Sequence, residues 1–300
     1  MYLEFYGLNE MPFDLAPNPR FLHFSPRHRE AFNHLLYGLR ERKGFVQLTG
    51  EVGCGKTTLC RAMLRELGDG FATALILNPW LGPGDLLPAV AAEFGLAVGS
   101  SSPRETLHQL NHFLLELVHQ NRDAVLIIDE AQDLTPDQLE EIRLLSNLET
   151  DDSKLLQILL VGQPELTEKL ARPELRQLRQ RIVLRHELRP FDEEETGAYV
   201  DERLRLAGHT GKEVFKRSAV RTIWERTGGV PRLVNVVCDS ALLLGFARGW
   251  TTLGRGAILE VARDLDLPAT PPRRPGEADG SLPARWTPFG LFRRRSAGRA

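Results

Sequence analysis

The fold is decided by an eight-residue run that reads Gly50, Glu51, Val52, Gly53, Cys54, Gly55, Lys56 and Thr57. It matches the pattern G-x-x-x-x-G-K-[ST], in which glycines let backbone N–H groups turn inward around a phosphate. The apolar residues 45–49 predict a buried strand before it, and apolar residues at helical spacing over 57–67 predict a helix after it. Strand, glycine loop and helix are the context that this motif requires, so we predict a phosphate loop at residues 50–57.

The residue types of the phosphate loop predict their roles. Lys56 is a point charge suited to the β- and γ-phosphates of a nucleotide, and the Thr57 hydroxyl is suited to bind Mg²⁺. The positive end of the following helix strengthens the attraction for phosphate. We expect the whole loop, together with Thr58, to contact the nucleotide. The alternative is a glycine-rich turn that matches by chance, which the flanking elements disfavour.

Two acids that end an apolar run form the second candidate site. Residues 124–128 predict a buried strand, and Asp129 and Glu130 follow it at the end where α/β sheets bind ligands. Asp129 is suited to hold Mg²⁺, and Glu130 is suited to polarise an attacking water, so the pair predicts hydrolysis. Without a phosphate loop upstream, an exposed helix cap would explain the pair equally well.

Polar residues follow two further predicted strands. Asn78 follows the strand at 71–77, where it could hold Glu130 away from the water until a partner or ligand releases it. A simple turn residue is an equal alternative for Asn78. Gln163 follows the strand at 155–161, and we expect it to contact the γ-phosphate or orient the water rather than to be a plain loop residue.

Two arginines complete the candidate site. Arg181 precedes the predicted fifth strand, at a place that points away from its own nucleotide and towards a neighbouring subunit, and Arg179 is its substitute. An arginine finger supplied in trans raises the rate by about 10³–10⁵. Arg232 lies at the start of a predicted helix, from which it could reach the γ-phosphate and report the nucleotide state by domain closure. The alternatives are a surface arginine and one that only neutralises nearby acids.

The order of the predicted elements defines the fold class. Strands alternate with helices up to residue 190, which predicts a parallel, doubly wound α/β sheet, and only helices follow. We divide the chain into an N-terminal lead-in packed on the core (1–24), an α/β nucleotide-binding domain (25–190), an α-helical lid domain (191–265) and a disordered tail rich in proline and arginine (266–300).

Composition and charge exclude several classes of protein. The 300 residues are 42% hydrophobic and 26% charged, as in soluble globular proteins, and a net charge of −2 gives no global signal for nucleic acid or membrane. Cys54, Cys60 and Cys238 have no metal or disulfide spacing, and two of them lie at the phosphate loop and its helix, which favours a reducing cytoplasm. We predict no signal peptide and no transmembrane segment.

The candidate site residues occur in an order that resembles the AAA+ ATPases. The order is the phosphate loop, the acid pair, the polar sensor residue, the finger arginine and the lid arginine. AAA+ ATPases are P-loop NTPases with a parallel αβα sheet and an all-α lid. Over about residues 4–250 the sequence more closely resembles the ExeA/GspA family of secretion-associated ATPases. The motifs that carry this resemblance are Pro12-Phe13 with His28-Arg-Glu-Ala-Phe32, Gly44-Phe-Val-Gln-Leu-Thr-Gly-Glu-Val-Gly53, Asp129-Glu-Ala-Gln-Asp133, Leu144-Leu-Ser-Asn-Leu-Glu-Thr150, Leu159-Leu-Val-Gly-Gln-Pro-Glu-Leu166, Leu178-Arg-Gln-Arg-Ile182 and Gly229-Val-Pro-Arg-Leu-Val-Asn-Val-Val-Cys-Asp239.

The resemblance implies an ATPase that uses ATP and Mg²⁺, forms a homo-oligomer with nucleotide sites between protomers, and resides in the bacterial cytoplasm or peripherally at the inner membrane. Its partner would be a component of type II secretion, pilus assembly or a related envelope-export system, or a membrane protein. Longer family members continue into a transmembrane helix and a peptidoglycan-binding segment. Here only a short basic tail follows, so we expect no membrane span in this sequence.

Two other functions stay open. A transposition-type AAA+ ATPase, in the manner of TniB and MuB, would coat DNA and show salt-sensitive DNA binding. The net charge and the absence of a DNA-binding appendage disfavour it. The other hypothesis is a nucleotide-gated scaffold with a negligible ATPase rate. The intact pair of Asp129 and Glu130 argues against it.

Overall fold

The computed structural model describes residues 2–15, 19–21, 23–77, 79, 81–82, 84–97, 102–150 and 153–269. Five strands within these residues form one sheet: β1 (Phe45–Gly50), β2 (Phe71–Ile76), β3 (Asp123–Ile128), β4 (Leu156–Gly162) and β5 (Ile182–Leu188). Their spatial order is β2-β3-β4-β1-β5, and each neighbouring pair is parallel.

The described helices are α1 (Tyr2–Phe5), α2 (Pro26–Arg40), α3 (Lys56–Leu67), α4 (Leu86–Glu93), α5 (Pro103–His119), α6 (Pro136–Leu145), α7 (Pro164–Leu170), α8 (Arg176–Arg181), α9 (Glu193–Leu206), α10 (Arg217–Thr227), α11 (Pro231–Arg248) and α12 (Arg255–Asp264). Helix α2 begins with a side-chain cap, because the Ser25 hydroxyl accepts a hydrogen bond from the N–H of His28 and Pro26 is the first helical residue. A Ser or Thr cap followed by proline also begins α5 and α6.

The central strands are buried on both faces. Every residue of β1 and β4 is buried, as is typical of parallel strands that helices cover on both sides. In contrast, β5 lies at the sheet edge and is exposed at Val183, Arg185 and Glu187. The predicted parallel α/β sheet is therefore confirmed, and β5 is an edge strand with one exposed face.

The strand order brings three loops together. Because β4 lies between β1 and β3, the residues that follow these three strands meet at the carboxyl edge of the sheet. The register fixes how they meet, since Thr49 pairs with Gly162 and Ile128 pairs with Leu160. The phosphate loop, the acid pair and Gln163 all leave the sheet at this edge.

The helices after β5 build a second hydrophobic core. It joins apolar residues of α9 to α12 with aromatic residues of the N-terminal segment, which are Tyr2, Tyr6, Phe13 and Phe21. The all-helical region predicted after the sheet is confirmed, and the described part of the N-terminal segment packs on these helices. No helix among the described residues has both the length and the apolar character needed to cross a bilayer.

Candidate functional site

The phosphate loop has the backbone that its glycines allow. Gly53 and Gly55 have φ angles of 82° and 92°, in the left-handed region that other residues rarely adopt. A Cβ at Gly53 would also lie 2.7 Å from the Cβ of Arg232. The loop closes around Lys56, whose ammonium donates to the carbonyls of Gly50 (2.8 Å) and Glu51 (3.1 Å). The predicted loop thus forms a cradle with one buried cation inside it.

The two predicted Mg²⁺ ligands touch each other. The Thr57 hydroxyl donates to Oδ2 of Asp129 at 2.5 Å, and Asp129 is only 2% exposed. Burial raises the pKa of the Asp129 carboxyl, and hydrogen bonds from the Thr57 hydroxyl and the N–H of Glu130 offset this only in part. A hydroxyl and a carboxylate side by side are the oxygen ligands that Mg²⁺ prefers, so the donor set fits that ion.

Glu130 is held by two side-chain amides. Its Oε2 accepts from Nε2 of Gln132 at 2.8 Å and from Nε2 of Gln163 at 3.3 Å. The structure therefore brings Gln163 into contact with the acid, while its predicted contact with the γ-phosphate or the water stays a prediction. Gln132 was not assigned a role from the sequence, although it lies in the motif after Asp129. Asn78, the residue predicted to restrain Glu130, lies outside the described residues.

A buried histidine supports the phosphate loop from α2. His28 is 4% exposed, and its Nε2 lies 3.2 Å from the carbonyl of Cys54. Because a carbonyl only accepts, Nε2 carries the proton and Nδ1 accepts from the Ser25 hydroxyl at 3.0 Å. Burial lowers the pKa of His28, which favours this neutral form. Sequence reasoning gave His28 no role beyond its place in a motif.

One cavity of about 330 Å³ joins the phosphate loop to the helical region. Glu130 and residues 52–58 line its α/β side. Its other side is formed by the N-terminal segment and the helices, through Asp14, Leu15, Phe21, His23, Phe191, Tyr199, Arg203, Pro231, Arg232 and Asn235. A ligand in this cavity would therefore contact both parts of the protein.

Arg232, which is predicted to reach the γ-phosphate, lines this cavity. Its side chain is exposed and lines the cavity, while its backbone N–H donates to the carbonyl of Gly53 at 3.2 Å. The start of α11 is thus bonded directly to the phosphate loop. This contact gives the helical region a direct connection to the place where phosphates are expected.

A buried arginine lies on the helical side of the cavity. Arg203 is 5% exposed and donates to the Tyr199 hydroxyl at 2.6 Å, which in turn donates to Oδ1 of Asn235 at 2.8 Å. Its guanidinium lies 4.9 Å from the ring centre of Phe21. Within the described residues its Nε has no hydrogen-bond partner, and no carboxylate lies within ion-pair distance. The sequence alone gave no reason to select Arg203, Tyr199 or Asn235.

The two finger candidates lie away from the cavity. Nη1 of Arg181 donates to the carbonyl of Arg143 at 3.3 Å and to the Ser146 hydroxyl, at the end of α6. Arg179 is exposed on α8. Neither arginine lines the cavity of its own chain, so each could act only on a site in another copy.

The parallel sheet, the phosphate loop, the acid pair and the helical region that follows define a P-loop protein of the AAA+ class. Comparison with known families agrees, since a model described as an AAA domain matches residues 39–170. The fold is also that of the ORC2 protein of Aeropyrum pernix, with a TM-score of 0.65 and 17% identity over 85% of this chain and 72% of that one. Cdc6p of Pyrobaculum aerophilum has a TM-score of 0.61 and 16% identity over 84% of this chain and 70% of that one.

A curated relative specifies the family more narrowly. General secretion pathway protein A of Aeromonas hydrophila is 47% identical over 267 residues, which are 88% of this chain. The chain therefore belongs to the ExeA/GspA-like family of AAA+ proteins, and the resemblance found in its motifs is confirmed. The match includes 48% of the relative, so this chain spans about half the length of the protein it matches.

Proposed function

We propose that the chain is a Mg²⁺-dependent ATPase. The observation that carries the proposal is the 2.5 Å contact between the Thr57 hydroxyl and the Asp129 carboxylate, with Glu130 next in sequence and lining the same cavity. Thr57 and Asp129 provide the oxygen ligands for Mg²⁺. A carboxylate beside them is suited to take the proton of an attacking water. These three residues together support hydrolysis rather than binding alone.

Each part of the site has a role in this proposal. Lys56 and the N–H groups of the phosphate loop bind the β- and γ-phosphates, and Mg²⁺, when bound, neutralises their charge. Gln163, in contact with Glu130, is placed to orient the water or contact the γ-phosphate. The rings of Phe21, His23, Phe191 and Tyr199 offer flat faces for the base, and the family resemblance favours adenine.

The proposal includes action as a homo-oligomer. Arg179 and Arg181 end α8 at the edge of the sheet, outside their own cavity, which supports a role at the site of a neighbouring protomer. The contacts of Arg181 with α6 would have to break for its side chain to extend, whereas Arg179 is already exposed. Arg232 would act within its own chain.

The physiological role is proposed from the relative. General secretion pathway protein A carries its pathway in its name, and 47% identity supports a related role in type II secretion, pilus assembly or another envelope-export system. We propose a cytoplasmic site of action, with a peripheral position at the inner membrane if a membrane partner recruits the chain. The separate cores of the sheet and of the helices support a lid domain that begins at about residue 191.

The test is ATP turnover as a function of protein concentration, with Mg²⁺ or EDTA present and with or without duplex DNA. We expect Mg²⁺-dependent turnover whose specific rate rises with concentration and is unaffected by DNA. An absence of turnover at every concentration would contradict the ATPase proposal. Strong stimulation by DNA would instead favour the DNA-coating alternative.

Two arginine variants identify the residue that acts as the finger. Arg181→Ala and Arg179→Ala should each be compared with the wild type for nucleotide affinity and for rate. We expect alanine at the position of the finger to lower turnover by about 10³-fold and to leave nucleotide affinity unchanged. Mixing that variant with Lys56→Ala protein should restore some activity, because each copy then supplies what the other lacks. Failure of rescue at every ratio would contradict action in trans.

A further inference from the structure

The side-chain amide of Gln132 connects the ends of β3 and β4. Its Oε1 accepts from the backbone N–H of Gln163 at 3.0 Å, and its Nε2 donates to Oε2 of Glu130 at 2.8 Å. Since a backbone N–H can only donate, Oε1 must face Gln163, and the orientation of the amide is thereby fixed. The NH₂ group consequently faces the Glu130 carboxylate.

The end of β4 leaves room for this amide. A Cβ added at Gly162 would lie 2.7 Å from Oε1 of Gln132, closer than two such atoms normally approach. Gly162 is not among the residues with positive φ, so its backbone does not itself require glycine. The added Cβ would also lie 3.0 Å from Cδ2 of Leu166, so the missing side chain leaves space for the Gln132 amide and for Leu166.

Helix α7 holds the turn that contains Gln132. Lys169 donates to the backbone carbonyls of Gln132 and Leu134, the second at 2.7 Å. Immediately before the turn, Glu130 has a φ of 52°, a left-handed conformation that is uncommon for a residue other than glycine. The direction of the Glu130 side chain therefore depends on the contacts it makes.

Both amides bond the same oxygen of Glu130. Gln132 and Gln163 each donate to Oε2, and no hydrogen bond to Oε1 is formed within the described part of the chain. Glu130 also lines the cavity. One carboxylate oxygen is thus anchored at the sheet edge, which leaves the other to accept a proton.

We propose that Gln132 is a positioning residue that holds the Glu130 carboxylate in its productive orientation and ties it to Gln163. This assignment rests on the proposed ATPase function. Without the Gln132 amide, the 3.3 Å contact with Gln163 is the one that remains for the Glu130 carboxylate among the described residues, and the carboxylate loses its fixed orientation. ATP binding does not depend on this contact, because the amide bonds no residue of the phosphate loop.

The experiment measures kcat, KM, ATP affinity and thermal stability for Gln132→Ala and Gly162→Ala. We expect kcat to fall by at least about 10-fold in each variant, because misplacing a catalytic group by about 1 Å costs up to 10²-fold in rate. ATP affinity should stay within about two-fold of the wild type. Gln120→Ala, which truncates an exposed glutamine at the end of α5, is the matched control and should change nothing.

A double-mutant comparison separates positioning from a structural effect. If Gln132 acts through Glu130, then Gln132→Ala should slow the wild-type protein but cause no further loss in a Glu130→Gln background. Unchanged kcat in Gln132→Ala, or a full additional loss in the double variant, would overturn the assignment. If the wild-type protein binds ATP but never hydrolyses it, the proposed function fails, and this assignment fails with it.

Discussion

The two sides of the cavity differ in how their charges are balanced. On the α/β side, Lys56 and Glu130 line the cavity together, and the buried Asp129 bonds the hydroxyl of Thr57, which also lines it. On the helical side, the buried Arg203 contacts a tyrosine hydroxyl and aromatic faces, and it has no carboxylate partner among the described residues. One side combines buried charges of both signs. On the other, neutral groups surround the buried Arg203, and the charged residues Asp14 and Arg232 are exposed.

This difference indicates a division of labour. A cation with two acids and a hydroxyl suits phosphate and its metal ion, whose charges require strong, fixed partners. A flat cation among aromatic rings suits a neutral, planar group that has hydrogen-bond acceptors, such as a nucleobase. The comparison therefore predicts that variants on the α/β side act on phosphate and rate, and that variants on the helical side act on recognition of the base.

The largest effect on nucleotide affinity is expected for Lys56→Ala. Removing the buried cation of the phosphate loop should weaken ATP binding by about 100-fold, since a hydrogen bond to a charged group contributes roughly 1.5–3 kcal/mol. Titration with a fluorescent ATP analogue measures the affinity. Lys212→Ala, at an exposed position far from the loop in sequence, serves as the control. An affinity within three-fold of the wild type would contradict the role of Lys56.

A smaller effect is expected for Arg203→Met, which keeps an unbranched side chain at this position and removes its charge. If Arg203 contacts the base, ATP and ADP should both lose affinity by about 10-fold, because one hydrogen bond with a charged partner is removed from each. Inorganic triphosphate, which has no base, should bind as well as it does to the wild type. A loss confined to ATP would place Arg203 at the phosphates and contradict the division of labour.

Arg232 tests the boundary between the two sides. It lies on the helical side but is bonded through its backbone to the phosphate loop, so its side chain should contact the γ-phosphate. We expect Arg232→Ala to weaken ATP by several-fold and ADP very little, as loss of one exposed charged contact predicts. Competition between the two nucleotides measures the ratio. An unchanged preference would remove Arg232 from the phosphate site.

The smallest expected effect concerns pH and His28. Burial lowers the pKa of this histidine in the folded state, although its contact with Cys54 and the charge of Glu195 act in the opposite direction. The unfolded chain binds a proton below about pH 6.5, whereas the folded chain resists it. The contribution of neutral His28 to the free energy of unfolding is therefore fully present above about pH 6.5. It is lost as the pH falls through the lower pKa of the folded state.

Denaturant unfolding between pH 5 and 8 measures this loss. The wild type should lose stability on acidification, and His28→Gln should lose less over the same range. Burial also lowers the pKa of His23 and His186, so part of the slope should remain in the variant. Equal slopes in the two proteins would show that His28 is not the titrating group.

The α/β side of the site could be predicted from the sequence because its signals are local. The phosphate loop lies between an apolar strand and an amphipathic helix, and the acids Asp129 and Glu130 end an apolar run. Parallel strands place such ends at one edge, so proximity followed from the order of elements. Gln163 was found in the same way, as a polar residue directly after β4.

Apart from Arg232, the helical side could not be predicted, because its contacts join distant parts of the chain. The guanidinium of Arg203 lies near the ring of Phe21, and the Tyr199 hydroxyl connects it to Asn235. Nothing in the residues around position 203 indicates that Arg203 is buried beside a cavity. His28 likewise acts on Cys54 through the packing of α2. The short helices α7 and α8 give only a weak signal in the sequence, since a helix of two turns or fewer shows little periodicity.

The most direct test of the central claim is hydrolysis by Glu130→Gln under single-turnover conditions, with ATP affinity measured on the same protein. The variant keeps the size of the side chain and removes the group that accepts the proton. We predict that ATP binds as it does to the wild type while the rate falls by about 10²–10⁴-fold. Hydrolysis at the wild-type rate with ATP fully bound would contradict the assignment of Glu130 as the catalytic base.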